Sequence, residues 1–150
     1  MSRKKLTFLK PDVDMELSLG SSNESVTQKP LVLVVDDNED NLLLLAFLLE
    51  QMNCTIITAA DGQTAIDSAL TYLPSLILLD MMLPDLDGVE VASHLRQNAL
   101  TATIPVIAVT AMARAEDRER ILAAGCNEFV TKPFNIDELE VLLRGYLYEL

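Results

Sequence analysis

Leu76-Ile77-Leu78-Leu79-Asp80 runs directly into Met81-Met82-Leu83-Pro84-Asp85-Leu86-Asp87-Gly88. Four apolar residues in a row lack the alternation of a strand with one wet face, and they suit a strand buried on both sides. Asp80 ends that strand. Pro84 and Asp87-Gly88 mark a turn. Asp87 and Glu90 have the spacing of a capping box, which opens a helix over about 89–97. The stretch therefore reads as a doubly covered strand, a carboxylate at its exit, a turn and a helix.

The same unit recurs on either side. Upstream, residues 31–35 form a short run of leucine and valine followed by Asp36-Asp37. A helix is expected over 41–52, with Asn38 or Asp40 as its cap. A second strand follows at 55–59, and Asp61-Gly62 opens a helix that must end before Pro74. Downstream, 105–110 reads as a fourth strand. A helix over 114–124 is closed by Gly125, the residue type that best tolerates a left-handed stop. Residues 129–131 form a short fifth strand, and Asn135 with Glu138 starts a last helix towards 147. Wholly apolar strands alternating with helices imply an α/β fold with a parallel sheet covered on both faces. Right-handed crossovers make it an open doubly wound sheet, whose ligands bind beyond the carboxyl ends of the strands.

Residues 1–29 differ. They mix Ser, Asn, Lys, Asp and Glu without periodicity and read as a flexible leader before a single domain over 30–150. The basic start at Arg3, Lys4 and Lys5 has no apolar run behind it, so it does not read as a signal peptide. No apolar stretch is long enough to span a bilayer. The net charge of −12 opposes direct nucleic-acid binding, which needs a basic surface. It is compatible with a cation site. Cys54 and Cys126 lack metal-ligand or CxxC spacing and read as reduced, buried small residues of a cytoplasmic protein.

The carboxyl ends of the strands carry the chemistry. Asp36 and Asp37 follow strand one, Asp80 ends strand three, Thr110 ends strand four and Lys132 follows strand five. Three carboxylates this close raise one another's pKa unless a cation neutralises them. Mg²⁺, with its preference for few carboxylates, several waters and phosphate oxygens, suits the set. Lys132 adds a second positive group. An incoming phosphoryl group would find its charge balanced and a carboxylate able to attack phosphorus.

Residues 30 to about 148 resemble the receiver domain of two-component response regulators. The resemblance rests on Val34-Val35-Asp36-Asp37-Asn38, on Leu78 through Gly88, on Val109-Thr110-Ala111 and on Phe129-Val130-Thr131-Lys132-Pro133-Phe134. It implies a flavodoxin-like (βα)5 fold with strand order 2-1-3-4-5. It implies Asp80 as phospho-acceptor, with Mg²⁺ held by Asp37, Asp80, the main-chain carbonyl of Met82 and, through water, Asp36. By the same resemblance Thr110 and Lys132 hold phosphoryl oxygens, Phe129 is a switch aromatic, and the Lys132–Pro133 bond is cis. The partner it implies is a histidine kinase or histidine phosphotransfer protein. The chain's end at Leu150 leads to the expectation of a stand-alone receiver acting on a downstream protein target, catalysing only its own phosphorylation and slow dephosphorylation.

Three other classes fit less well. A haloacid-dehalogenase-type phosphatase needs a second Asp two residues after the nucleophile, where Met82 stands. A dinucleotide-binding domain needs a glycine-rich turn where Asp36-Asp37-Asn38 stands. A pseudo-receiver scaffold has no use for the complete acidic set.

The helix over 41–52 is apolar nearly all round. Leu44, Leu45, Leu48 and Met52 are expected to face the core, which leaves Leu42, Leu43, Ala46 and Phe47 outward as a partner-docking patch. The last helix, with Leu142, Leu143, Tyr146 and Tyr148, offers a rival face for a homodimer.

Overall fold

The computed structural model describes residues 29–111 and 114–148. The leader expected over 1–29 lies, except for Lys29, outside the described residues. Five strands, β1 (Leu31–Val35), β2 (Thr55–Ala59), β3 (Leu76–Asp80), β4 (Val106–Thr110) and β5 (Glu128–Thr131), alternate with five helices. These are α1 (Glu39–Gln51), α2 (Gly62–Tyr72), α3 (Gly88–Gln97), α4 (Ala115–Ala123) and α5 (Ile136–Leu147). The strands form one sheet in the order β2-β1-β3-β4-β5, and every pairing is parallel. The expected fold class and strand order are both observed.

Successive strand residues point to opposite faces of the sheet, so each apolar run feeds two cores. Leu33, Val35, Ile77, Leu79, Val106 and Ala108 join Ala65, Ala69, Val91, Leu95 and Ile121 on the side of α2, α3 and α4. Val32, Val34, Leu76, Leu78, Ile107 and Val109 join Leu45, Leu48, Leu49, Leu139 and Leu143 on the side of α1 and α5. β3 and β4 are buried along their whole length, which accounts for the absence of polar alternation in both.

Turn chemistry sets the helix starts. The Asn38 side chain accepts from Asn41 N at 2.9 Å, so Asn38, not Asp40, caps α1. Asp61 accepts from Thr64 N at 2.8 Å to start α2. Asp87 and Glu90 form the complete capping box of α3. Asn135 caps α5 by accepting from Glu138 N. Gly125 has a φ of +110°, as a left-handed helix stop requires. The Lys132–Pro133 bond is cis. Cys54 and Cys126 are buried free thiols, and burial pushes Cys126 up to about 11, against a smaller opposing pull from Arg96.

The orientation of α1 departs from expectation. Ala46, expected outward, is buried at 1% exposure, and Leu42 is half-buried against the core. Leu44, expected inward, is 44% exposed. The inward stripe is Leu45, Leu48, Leu49 and Met52, and the exposed one is Leu43, Leu44 and Phe47. A helix apolar on all sides carries little periodic signal to orient it. In its first turn Asn41 Nδ2 donates to Asp36 Oδ2 at 3.2 Å, a contact consistent with the rotation that packs Leu45, Leu48, Leu49 and Met52 into the core. The proposed dimer face on α5 is also turned largely inward. Leu143 is fully buried, Leu142 and Tyr146 pack against the core, and the Tyr148 hydroxyl donates to Met52 O at 2.7 Å.

Candidate functional site

Parallel pairing in register brings the strand exits to one edge. Val35 pairs with Leu79, Asp80 with Val109, and Thr110 with Thr131. Asp36, Asp80, Thr110 and Lys132 therefore meet although 96 residues separate the first from the last. Asp36 N donates to Ala59 O, and Lys132 N donates to Thr110 O at 2.8 Å, so backbone bonds hold both residues at the sheet edge.

The side chains form a connected acidic centre. Lys132 Nζ donates to Asp36 Oδ2 at 3.1 Å and to Asp80 Oδ2 at 3.2 Å. Asp36 also accepts from Asn38 N at 2.9 Å through Oδ1. Asp80 Oδ1 accepts from Met82 N at 3.0 Å. Asp36, Asp80 and Thr110 are buried, and Asp37 is exposed beside them. Carboxylate oxygens of Asp36, Asp37 and Asp80 lie within 4.8 Å of one another. All are hard donors, and one stands open to solvent, so the set fits a small divalent cation that keeps part of its water shell.

Burial pushes the Asp80 carboxyl above its ordinary value. The Met82 N–H pulls it down, the Asp36 charge pushes it up and Lys132 pulls it down, with a net rise. Burial alone would lower Lys132, but its hydrogen bond to Asp36 and the charges of Asp80 and Asp36 outweigh that and raise it. The two carboxylates thus favour the charged form of Lys132, while burial weakens the preference of Asp80 for its ionised form.

Phe129 lies beside this edge, half-buried against the α2–α3–α4 core. The Arg118 guanidinium of α4 stands over its ring, 5.2 Å from the centroid. Met82 is 59% exposed and forms an antiparallel bridge with Asp87, so the β3–α3 connection folds back on itself. Two contacts at this site have no mark in the linear pattern. Asn41 resembles any polar residue in a first helical turn, and Asp85 resembles any turn aspartate, yet Asp85 accepts from Gly62 N and Gln63 N across 23 and 22 residues.

A parallel sheet of this order, with three carboxylates and a lysine at its carboxyl edge, is an α/β domain with a charged candidate site where doubly wound sheets bind their ligands. Residues 32–144 match the response regulator receiver domain, and the chain belongs to that family. It is 40% identical over 116 residues to the alkaline phosphatase synthesis transcriptional regulatory protein PhoP of Bacillus subtilis, covering 77% of this chain and 48% of that relative. The chain thus spans about half the length of PhoP. It is 38% identical over 116 residues to the polar-differentiation response regulator DivK of Brucella anthropi, covering 77% of this chain and 94% of the relative. Among solved structures it resembles the receiver domain of the sensor histidine kinase PA1611 from Pseudomonas aeruginosa, with a magnesium ion in the active-site cleft of that protein (TM-score 0.74, 33% identity, 80% of this chain and 98% of the other). A CheY-like receiver domain protein from Methanospirillum hungatei gives a TM-score of 0.76 at 26% identity, over 81% of this chain and 96% of the other. Residues 32–144 are therefore a two-component receiver domain. No helix among the described residues is long and apolar enough to cross a membrane.

Proposed function

We propose that the domain, taken as residues 30–150, is a phosphorylation switch in which Asp80 accepts a phosphoryl group from a phosphohistidine partner in a Mg²⁺-dependent reaction. The observation that carries the proposal is the Lys132 ammonium lying within 3.2 Å of both Asp80 and Asp36 at the edge where the strand exits converge. An Asp80 carboxylate oxygen attacks phosphorus. The O–P bond forms, the P–N bond of the phosphohistidine breaks, and the bonding pair leaves on the ring nitrogen, which then takes a proton. Asp37, Asp80, the Met82 carbonyl and, through water, Asp36 would hold Mg²⁺, which supplies charge neutralisation on the transferring group. Lys132 pairs with one phosphoryl oxygen and the Thr110 hydroxyl donates to another. Thr110 is then drawn inward, Phe129 follows, and α4 shifts, which alters the surface offered to a downstream protein. No enzymatic activity beyond this self-phosphorylation and slow dephosphorylation belongs to the proposal.

The donor is a histidine kinase or phosphotransfer protein in the cytoplasm. It docks on the exposed stripe Leu43, Leu44 and Phe47, which begins one turn after Asp36 and Asp37, with Leu42 at its rim. Three exposed large apolar residues on one helix face form the kind of patch a monomer seldom leaves uncovered without a partner.

Mass spectrometry after incubation with acetyl phosphate and Mg²⁺ is expected to show one added phosphoryl group, absent in Asp80→Asn. Labelling that persists in that variant would refute Asp80 as the acceptor. Phe47→Glu should keep labelling by acetyl phosphate and lose transfer from the partner.

A further inference from the structure

We infer that Asp85 is a positioning residue for the phospho-acceptor: by fastening the β3–α3 connection to the start of α2, it holds Met82 where its N–H orients the Asp80 carboxylate. The inference rests on the phospho-acceptor role of Asp80 and adds a residue with no part in binding the phosphoryl group itself.

The connection leaves Asp80 and returns to α3 within a few residues. At its base, Met82 bridges Asp87, and Gly88 N donates to Met81 O at 2.9 Å. At its far side, the Asp85 carboxylate is engaged through both oxygens. Oδ1 accepts from Gly62 N at 2.7 Å and Oδ2 accepts from Gln63 N at 2.9 Å. These are the first two N–H groups of α2, which have no partner within the helix. The next one, on Thr64, is taken by the Asp61 side chain, and Ala65 N donates to Asp61 O as the helical ladder begins. The donors of the first turn are thus shared between a local cap and a carboxylate that arrives from another loop. Paired, charge-assisted bonds to a helix N-terminus fix direction as well as distance. The Gly62 N–H first, and the Gln63 N–H second, hold the Asp85 carboxyl below its ordinary value.

Packing makes the fastening rigid. A Cβ on Gly62 would stand 2.8 Å from Leu86 Cβ, so α2 starts in direct contact with the loop. Leu83 and Leu86 pack against the core on the same side. Met82 lies between this anchor and Asp80, and its N–H is the backbone contact to Asp80 Oδ1, at 3.0 Å. If the Asp85 anchor is released, the bridge to Asp87 remains, but the loop beyond Met82 is no longer fastened to α2, and Met82 keeps only one of its two restraints. A nucleophile aimed less well reacts more slowly without losing its fold.

Asp61 supplies the control, because its side chain caps the same helix turn through Thr64 N rather than bonding to the loop. Asp85→Ala, Asp85→Asn and Asp61→Ala are to be compared with the native chain in two measurements. One is the phosphorylation rate at saturating phosphoramidate and Mg²⁺. The other is amide exchange at Met82 without metal or phosphodonor. Asp85→Ala is expected to lower the saturated rate on the order of tenfold and to speed exchange at Met82. Asp85→Asn, which keeps one acceptor oxygen, should fall between, and it serves as the test if the alanine variant does not fold. Asp61→Ala should lower the melting temperature yet keep a near-native rate per folded molecule. A native rate in the Asp85 variants, or an equal loss in Asp61→Ala, would overturn the inference. If the native chain takes no phosphoryl group, the phospho-acceptor role falls. Unchanged Met82 exchange in Asp85→Ala would then overturn the positioning role separately.

Discussion

α3 and α4 each begin just past a residue of the site, α3 after Asp80 and α4 after Thr110, and they are held in opposite ways. α3 starts with a full capping box: Asp87 Oδ1 accepts from Val89 N at 2.9 Å, and Glu90 Oε1 accepts from Asp87 N at 3.2 Å. It buries Gly88, Val91, Ala92 and Leu95. At its far end the Arg96 guanidinium donates to Gly125 O, Ala102 O, Ile104 O and Asn127 Oδ1. α4 has Arg114 at its cap position with no side-chain capping bond, and it buries only Ile121. Among the described residues it also makes surface contacts: Arg118 over Phe129, and Arg120 paired with Asp87 at 3.2 Å, both partners half-exposed. Free energy of local opening follows buried apolar contacts and satisfied backbone donors. α3 is therefore the more firmly anchored of the two helices and α4 the more weakly anchored, which suits the shift proposed for α4.

The largest effect should come from loosening the fixed side. A Cβ at position 88 would stand 2.5 Å from Met81 Cα and 2.9 Å from Asp80 O, both backbone atoms that cannot rotate aside. Gly88→Ala is expected to destabilise the domain by about 3 kcal/mol in denaturant unfolding, since overpacking against backbone leaves no cheap relaxation. A cost below about 1 kcal/mol would mean that the start of α3 yields more readily than its packing implies.

Caps give the next effect, with opposite signs on the two helices. Asp87→Ala removes the cap oxygen of α3 and should cost about 1–2 kcal/mol. Arg114→Ser adds a capping oxygen to α4 and should gain roughly 0.5–1 kcal/mol, while slowing amide exchange over the first turn of that helix. If exchange there does not slow, the looseness of α4 comes from its shallow burial and not from its bare N-terminus.

The smallest effect belongs to the surface clips. Arg118→Ala should cost about 0.5–1 kcal/mol, the range of an exposed cation–π contact. Arg120→Ala should cost less than about 1 kcal/mol, as exposed ion pairs do. Thermal unfolding measures both. Losses well above these would show that α4 is held by its arginines as firmly as α3 is held by its core.

Local chemistry determined the elements, because each depends on residues a few positions apart. The apolar runs gave the five strands, and Asp61, Asp87 with Glu90, Asn135 and Gly125 marked helix ends that the structure retains. The doubly buried strands implied a parallel sheet, and a parallel sheet collects its strand exits at one edge. Asp36, Asp37, Asp80, Thr110 and Lys132 could therefore be assigned to one site from their positions alone. The tertiary structure decided what has no short-range signal. The rotation of α1 could not be read from its nearly uniform apolar surface; tertiary packing, together with the Asn41–Asp36 bond, put Leu44 outside and Ala46 inside. The Asp85 anchor on α2 and the Arg96 network each join residues more than 20 positions apart. A carboxylate or guanidinium in a loop looks the same in sequence whether it meets water or another element's backbone, and only packing selects between them.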